Sequence, residues 1–363
     1  MSWVLVVGGF SLLIVLHELG HFVAAKATGM RVERFFLFFP PKLVSIRRGE
    51  TEYGIGAIPA GGFVKITGMN PDEELPPEAQ GRGYYDQPVW KRIVVIAAGP
   101  AVNIVLAFLI FFVLSFGARE VTQEVGEIVP GSPAGAALQQ GDRVLAVDGR
   151  SYAGAAREER LTRFAERVAA HECAGEPSRG CRAQTPVRLQ IERGGTERTV
   201  VIRPVYDPAV ERTRLGFSYG SEPVDLAPAG AAERSADFMW LITSQTMGVF
   251  ARLYDAEQRK QVSGVVGISD TANRTINEFG AREALILLAI VSFSLGLINL
   301  FPFLPLDGGH IFWSLVEKAR GRRVPFRIME RAGVLGFVLV IMLFAIGLTN
   351  DIGRLTGEGF GPR

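Results

Sequence analysis

Long apolar runs alternate with polar segments along the 363-residue chain. They place predicted membrane spans over residues 1–30, 93–116, 283–313 and 333–349. A helix needs about 20 residues to cross the hydrocarbon core of a bilayer. The first three runs reach that length or nearly reach it, whereas the fourth needs its flanks. The pattern therefore predicts a polytopic α-helical membrane protein with about four spans.

The first apolar run differs from a secretory signal peptide. No Lys or Arg precedes it, and His17, Glu18 and His21 interrupt its apolar character. A signal peptide has a basic start and an uninterrupted apolar core. We therefore expect a retained helix.

Basic residues predict how the spans are oriented. Lys and Arg cluster in segment 31–92, between the first two spans, and in segment 314–332, between the last two. The positive-inside rule places both segments in the cytoplasm. The N-terminus, residues 117–282 and the C-terminal tail are then expected outside.

Two polar segments carry strand patterns. In residues 53–69, apolar positions alternate with glycine around Pro59-Ala60-Gly61-Gly62, which predicts a β-hairpin close to the membrane; a small surface hairpin is the alternative. Residues 120–206 carry strand, helix and turn signals that predict an external α+β domain. Its stretch SPAGAALQQGDRVLAVDG (132–149) resembles the circularly permuted bacterial PDZ domain, which binds extended peptides. A generic α+β module without a ligand is the alternative.

The rest of the external segment is less regular. Residues 207–282 are predicted to form a connector, in which Phe238–Tyr254 indicates an interfacial helix. Cys173 and Cys181 would face an oxidising space, where a short-range disulfide is expected. Two free thiols are the alternative.

The first span carries the motif HELGH at residues 17–21. Helical residues four apart share a face, so both imidazoles can bind one zinc ion while Glu18 activates the attacking water. Ionisable residues within a membrane helix are costly and are functional candidates. A buried polar cluster with a structural role is the alternative.

A third zinc ligand is expected, because zinc hydrolases use three protein ligands and a water. Asp307 is the only carboxylate in NLFPFLPLDGGH (299–310), where Pro302 and Pro305 break the helix. Irregular backbone at membrane depth is tolerated where it lines a protein cavity. The first and third spans run in the same direction, so His17 and Asp307 both fall in the cytoplasmic half.

HELGH and NLFPFLPLDGG together resemble the two signature motifs of the site-2 protease family of intramembrane zinc metalloproteases. GGFVK (61–65), AAGPAVN (97–103), the PDZ-like segment and SGVVGI (263–268) extend the resemblance over nearly the whole chain. The chain is most similar to the bacterial branch that carries a PDZ domain and cleaves membrane-bound anti-sigma factors.

The resemblance implies a role for each motif. It implies that His17, His21 and Asp307 bind Zn²⁺ and that Glu18 is the general base. It further implies that Asn299 contacts the substrate backbone. The Gly54–Lys65 hairpin, with Gly61, Gly62 and Phe63, is expected to pair with an unwound substrate.

The resemblance also implies a multi-pass protein of the bacterial cytoplasmic membrane. Its expected substrates are single-pass membrane proteins of the anti-sigma-factor kind, and an upstream site-1 protease is left open as a partner. The net charge of +2 gives no argument for binding nucleic acid. Two other hypotheses are a membrane metalloprotease with Glu283 as third ligand and an inactive scaffold that acts through its PDZ domain.

Overall fold

The computed structural model describes residues 2–70, 73–151, 157–175, 177–178, 180–208, 210, 212–252, 264, 267, 269, 280–353 and 356. Most of SGVVGI and the last two residues of the predicted interfacial helix lie outside these ranges. The chain divides into two compact units. Unit one comprises Met1–Ser115 and Leu226–Phe360, and unit two comprises Phe116–Asp225.

Within the described residues, the helices are α1 (Ser2–Ala27), α2 (Val89–Ser115), α3 (Arg157–Ala169), α4 (Pro228–Ala251), α5 (Ala281–Asn299), α6 (Asp307–Arg320) and α7 (Phe326–Gly353). The strands are β1 (Val32–Arg48), β2 (Thr51–Ile66), β3 (Arg119–Ile128), β4 (Arg143–Val147), β5 (Arg150–Ser151), β6 (Val187–Arg193), β7 (Thr196–Ile202), β8 (Val205–Asp207), β9 (Arg212–Arg214) and β10 (Phe217–Pro223).

Four helices of unit one are long and apolar enough to cross a membrane. They are α1 from Val6 onward, α2, α5 and α7. The central helix is α2, which packs against α1, α4, α5 and α6. One apolar cluster joins α2 to α4 and α5 through residues such as Phe111, Phe238 and Phe293. The expectation of about four helices that could span a membrane is confirmed.

The predicted third span over residues 283–313 is two helices rather than one. Helix α5 ends at Asn299, and α6 begins at Asp307. Pro302 and Pro305 lie between them and have no backbone N–H to continue a helical hydrogen-bond ladder. Asp307 is consequently the first residue of a new helix.

The predicted hairpin over residues 53–69 has a different pairing. Strand β2 covers most of that segment, and it pairs with β1. Residues 32–37 of β1 are in register with residues 62–66 on one side and, from Arg34↔Glu52 to Leu37↔Ile55, with residues 52–55 as well. The two expected hairpin arms are therefore separated by β1, and the hairpin turn lies between β1 and β2, at residues 49–50.

Unit two is a β-sheet with one flanking helix. The strand order is β10-β3-β4-β6-β7, with β5 paired to β4, and β8 pairs with β9 separately. Alternation along β6 buries Val187, Leu189 and Ile191 on one face, as expected for a half-buried strand. The unit extends beyond the predicted boundary at residue 206, because β10 pairs with β3.

Unit two contains a disulfide and, close to it in sequence, a histidine that is hydrogen-bonded through both ring nitrogens. Cys173 and Cys181 form a disulfide with a Cα–Cα distance of 6.2 Å, as predicted. His171 is bonded on both ring nitrogens, to Asp148 Oδ2 at 2.9 Å and to Thr185 Oγ1 at 2.7 Å. Its ring is therefore held by these two neighbours.

Candidate metal centre

His17 and His21 lie on one face of α1, because helical residues four positions apart are neighbours. Both are buried, with 8% and 7% of their surface exposed. Glu18 follows His17, and a Cβ at Gly62 of β2 would lie 2.9 Å from its Cγ. The HExxH helix and strand β2 therefore meet at Glu18.

Asp307 reaches the histidines because the chain leaves helical geometry after α5. The carboxylate stands in the first turn of α6, where the helix dipole favours negative charge. His17 and Asp307 are 290 residues apart in sequence, so the site closes only through tertiary packing.

The three candidate ligand atoms converge. His17 Nε2 lies 3.2 Å from Asp307 Oδ2 and 3.2 Å from His21 Nε2, and His21 Nε2 lies 3.4 Å from Asp307 Oδ2. Tetrahedral zinc with bonds of roughly 2.0–2.1 Å separates its ligand atoms by about 3.3–3.4 Å. The observed distances therefore fit three corners of one zinc site.

The alternative third ligand, Glu283, lies elsewhere. It stands in the first turn of α5, and its Oε1 lies 3.8 Å from Arg282 Nη1. Within the described residues, His17, His21 and Asp307 are the one group of three or more His, Cys, Asp or Glu that could hold a metal ion. The geometry therefore favours Asp307 as the third donor.

Helix α2 supports the histidines from behind. His21 Nδ1 donates to the carbonyl oxygen of Val95 at 2.9 Å, which leaves Nε2 as the nitrogen with a lone pair toward the site. A Cβ at Gly99 would lie 2.2 Å from His21 Nε2, so α2 passes the imidazole closely. The amide nitrogen of Asn103 lies 3.5 Å from His17 Nδ1.

No role for Val95, Gly99 or Asn103 was predicted from the sequence. The available signal was AAGPAVN, which contains Gly99 and Asn103 and matched the family without an assigned function. Val95 gave no signal, because it contributes a backbone carbonyl that any residue would supply.

A buried ion pair joins α2 to α6. Arg92 is 3% exposed, and its Nη1 and Nη2 donate to Glu317 at 3.0 and 2.7 Å. Its guanidinium also lies over the rings of Tyr84 and Tyr85, at 5.8 and 5.2 Å from their centroids. The pair connects the helix that supports the histidines to the helix that begins with Asp307.

Of the predicted substrate residues of β2, Gly62 lies beside Glu18, whereas Gly61 and Phe63 lie against Phe39. A Cβ at Gly62 would be 2.9 Å from Glu18 Cγ, and one at Gly61 would be 2.9 Å from the Phe39 ring. The Phe63 ring stacks on Phe39 at 5.9 Å. The strand therefore passes the HExxH helix at close range.

Asn299 lies at the last position of α5, outside the three-ligand group. Its Nδ2 donates to the carbonyl oxygen of Leu295 at 3.0 Å, within its own helix. Its predicted contact with a substrate backbone stays a prediction.

Two imidazoles and one carboxylate that converge on one point, presented by helices able to span a membrane, place this protein in the class of membrane zinc metalloproteases. Comparison with known proteins gives the family. The model of peptidase family M50 matches residues 5–343, and the chain belongs to that family.

Several bacterial proteins are similar over nearly their whole length. A protein of Rhizobium meliloti, named provisionally as a zinc metalloprotease, is 30% identical over 96% of this chain and 95% of its own. One of Clostridium perfringens with the same provisional description is 30% identical over 94% and 96%. The metalloprotease MmpA of Caulobacter vibrioides is 29% identical over 95% and 93%. The resemblance to site-2 proteases and the expectation of zinc are confirmed.

Proposed function

We propose that this zinc metalloprotease hydrolyses peptide bonds in or near the transmembrane segments of other membrane proteins. The supporting observation is where the ligands lie. His17 and His21 are within the candidate span Val6–Ala27, and Asp307 follows the candidate span Ala281–Asn299 closely. A protease for soluble substrates has no need to place its metal ligands on such helices.

Each residue of the centre has a chemical role in this proposal. His17, His21 and Asp307 would hold zinc, which polarises the scissile carbonyl and makes water acidic enough to attack near neutral pH. Glu18 accepts the proton of the attacking water and passes it to the leaving amine.

The substrate is proposed to bind as an added strand. A helix hides its peptide bonds in its own hydrogen bonds, so the segment must be unwound before cleavage. Within the described pairing, residues 62–66 of β2 pair with β1 on one side. A groove lined by residues 63–66, Met69, Asn70 and Glu73 runs along this strand segment. An unwound substrate can extend the sheet here, close to Glu18.

Unit two is proposed to be a PDZ-like module that recognises an extended part of the substrate. A cavity between β4 and α3 is lined by apolar residues such as Val144, Leu161 and Phe164 and by Arg143 and Arg160. Strands β3 and β4 are paired at Glu124↔Arg143, where the cavity begins. A peptide that entered this cavity would lie beside residues 121–123 of β3, which line it.

The biological setting follows from the same reasoning. We propose a protein of the bacterial cytoplasmic membrane, with unit two outside by the distribution of basic residues. Its proposed substrates are single-pass membrane proteins, as in the release of anti-sigma factors, with an upstream site-1 protease as a partner. The bacterial origin of the similar proteins supports the setting.

The experiment compares the wild-type protein with Glu18→Gln. Losing the general base should lower cleavage by about 10²–10⁴-fold while zinc remains bound, because the ligands are unchanged. Membrane proteomics of the two strains should reveal substrate fragments that accumulate in the mutant. Leu19→Ala, at a neighbouring position that is 39% exposed, is the matched control.

Two results would contradict the proposal. Near-normal turnover by Glu18→Gln would remove Glu18 from the mechanism. Accumulation of soluble proteins alone, with no membrane-bound fragments, would refute cleavage within or near the bilayer.

A further inference from the structure

Asn103 is a buried polar residue beside the proposed zinc ligands. Its side chain is 0% exposed, and it lies on α2 in the same stripe as Val95 and Gly99, at four-residue spacing. Its Nδ2 is 3.5 Å from His17 Nδ1, and its Oδ1 has no hydrogen-bond partner among the described residues. A buried amide in this state needs an explanation.

Zinc ligation restricts the proton on His17. A neutral imidazole that binds metal through Nε2 carries its proton on Nδ1. His17 Nδ1 must then donate, and the amide nitrogen of Asn103 can only donate as well. The amide oxygen can accept, and the two ends of an amide are exchanged by a simple rotation of the side chain. Ligation therefore selects the orientation in which Asn103 Oδ1 faces His17.

We propose that Asn103 is a positioning residue that accepts a hydrogen bond from His17 Nδ1 and so holds His17 Nε2 toward the metal. The inference deepens the proposed function and rests on its ligand set. Under this proposal the Nδ1 of each histidine donates to an acceptor on α2, because His21 Nδ1 already donates to Val95 O at 2.9 Å. Helix α2 would then supply the acceptor for each ligand imidazole.

The backbone of Asn103 is held in place by contacts that do not involve its side-chain amide. Ser292 Oγ of α5, which is 0% exposed, donates to the Asn103 carbonyl oxygen at 2.9 Å. A Cβ at Gly296 would lie 3.4 Å from Asn103 Cβ, so α5 packs closely against this position. A rigid backbone lets the side chain act as a fixed acceptor.

The test measures zinc affinity of the purified full-length protein by competition with a chelator. Asn103→Leu keeps the side-chain volume but removes the acceptor, and should weaken zinc binding by roughly 10–100-fold. Asn103→Asp keeps an acceptor and should bind zinc at least as tightly as wild type. The visible absorption of the cobalt-substituted protein should change in Asn103→Leu and return in Asn103→Asp.

The outcomes separate this inference from the proposed function. If His17→Ala abolishes zinc binding while folded Asn103→Leu binds within about threefold of wild type, the role of Asn103 is refuted and the ligand set stands. If His17→Ala binds zinc as wild type does, the ligand set itself fails. Should Asn103→Leu not fold, a tenfold loss of affinity in Asn103→Asp would overturn the inference, and full affinity would support it.

Discussion

Replacing Gly99 with alanine should displace a metal ligand. The new Cβ would lie 2.2 Å from His21 Nε2 and 2.6 Å from its Cε1, whereas non-bonded heavy atoms settle about 3.5–4.0 Å apart. Either the imidazole or helix α2 must therefore move by more than about 1 Å. His21 Nδ1 is hydrogen-bonded to Val95 of the same helix, so a shift of α2 would either carry the imidazole along or remove its support. Metal–ligand distances in proteins tolerate only about ±0.2 Å, so in each case we expect His21 Nε2 to leave its zinc-binding position.

The expected loss of zinc affinity in Gly99→Ala can be estimated from the group that is displaced. Disturbing a group that merely supports a ligand costs about 10–100-fold in metal affinity. Gly99→Ala displaces the ligand atom itself, so we expect zinc affinity to fall by at least about 100-fold, or about 2.8 kcal/mol of binding free energy. Cleavage should be lost in parallel.

The assay is chelator competition on the full-length protein in detergent, with metal analysis for the stoichiometry. Gly8→Ala is the matched control, because a Cβ there has nothing within 4 Å and alanine is favoured over glycine in a helix. Gly20→Ala provides a second perturbation. Its Cβ would lie 2.5 Å from the Ala98 carbonyl oxygen, so it should separate α1 from α2 and weaken zinc binding without touching an imidazole.

One result would refute this reasoning. If folded Gly99→Ala binds one zinc with an affinity within about threefold of wild type, then His21 is not a ligand or α2 does not pass it closely. A loss of zinc in Gly8→Ala would show instead that the assay reports general damage to the helices.

Three further predictions concern other parts of the chain. Asp307→Ala should lose both zinc and activity, because two ligands remain; full zinc occupancy by metal analysis would place the third ligand elsewhere. Arg92→Met should lower the free energy of unfolding by about 3 kcal/mol, since it leaves the half-buried carboxylate of Glu317 without its partner. Adding Glu317→Leu should recover most of this loss in thermal unfolding; additive losses would contradict the pairing. The guanidinium of Arg193 holds the pKa of Asp142 below its usual value. This ion pair therefore stabilises folded unit two fully above about pH 4, and its contribution is lost as the pH falls through the lowered pKa that Asp142 has in the folded state. Hydrogen exchange in β4 should therefore show that Asp142→Asn destabilises unit two at pH 7 and much less in acid, and an equal effect at every pH would refute the assignment.

The ligand set could be predicted because its spacing has few structural solutions. His17 and His21 are four residues apart in an apolar run, which places them on one helix face. Asp307 required a second argument, from the direction of the spans and the prolines before it. The structure brings all three together.

The support from α2 could not be predicted in the same way. Val95 contributes a backbone carbonyl, Gly99 contributes the absence of a side chain, and neither contribution has a chemical signature in a sequence. Asn103 does have one, but its partner is determined by how α1 and α2 cross. Such contacts become visible only when the helices are placed in space.

The prediction for the sheet of unit one was wrong for a related reason. The hairpin predicted over residues 53–69 assumed that neighbouring segments pair with each other. Residues 32–37 pair with both of its arms instead. They include the charged Glu33 and Arg34 and run into the apolar residues 35–39, which Pro40 and Pro41 follow. Prolines disfavour a strand interior, so the run gave little sign of being the central strand.

The separation of the ligands along the chain has a consequence for biosynthesis. His17 and His21 leave the ribosome early, but Asp307 follows His17 by 290 residues, which takes roughly 15–60 s at ordinary rates of translation. During that interval the nascent chain carries the two imidazoles without Asp307. Helix α6, and with it the last corner of the centre, is added when most of the protein has already been synthesised. The order of synthesis thus means that the three-ligand centre can close only after α6 has been made.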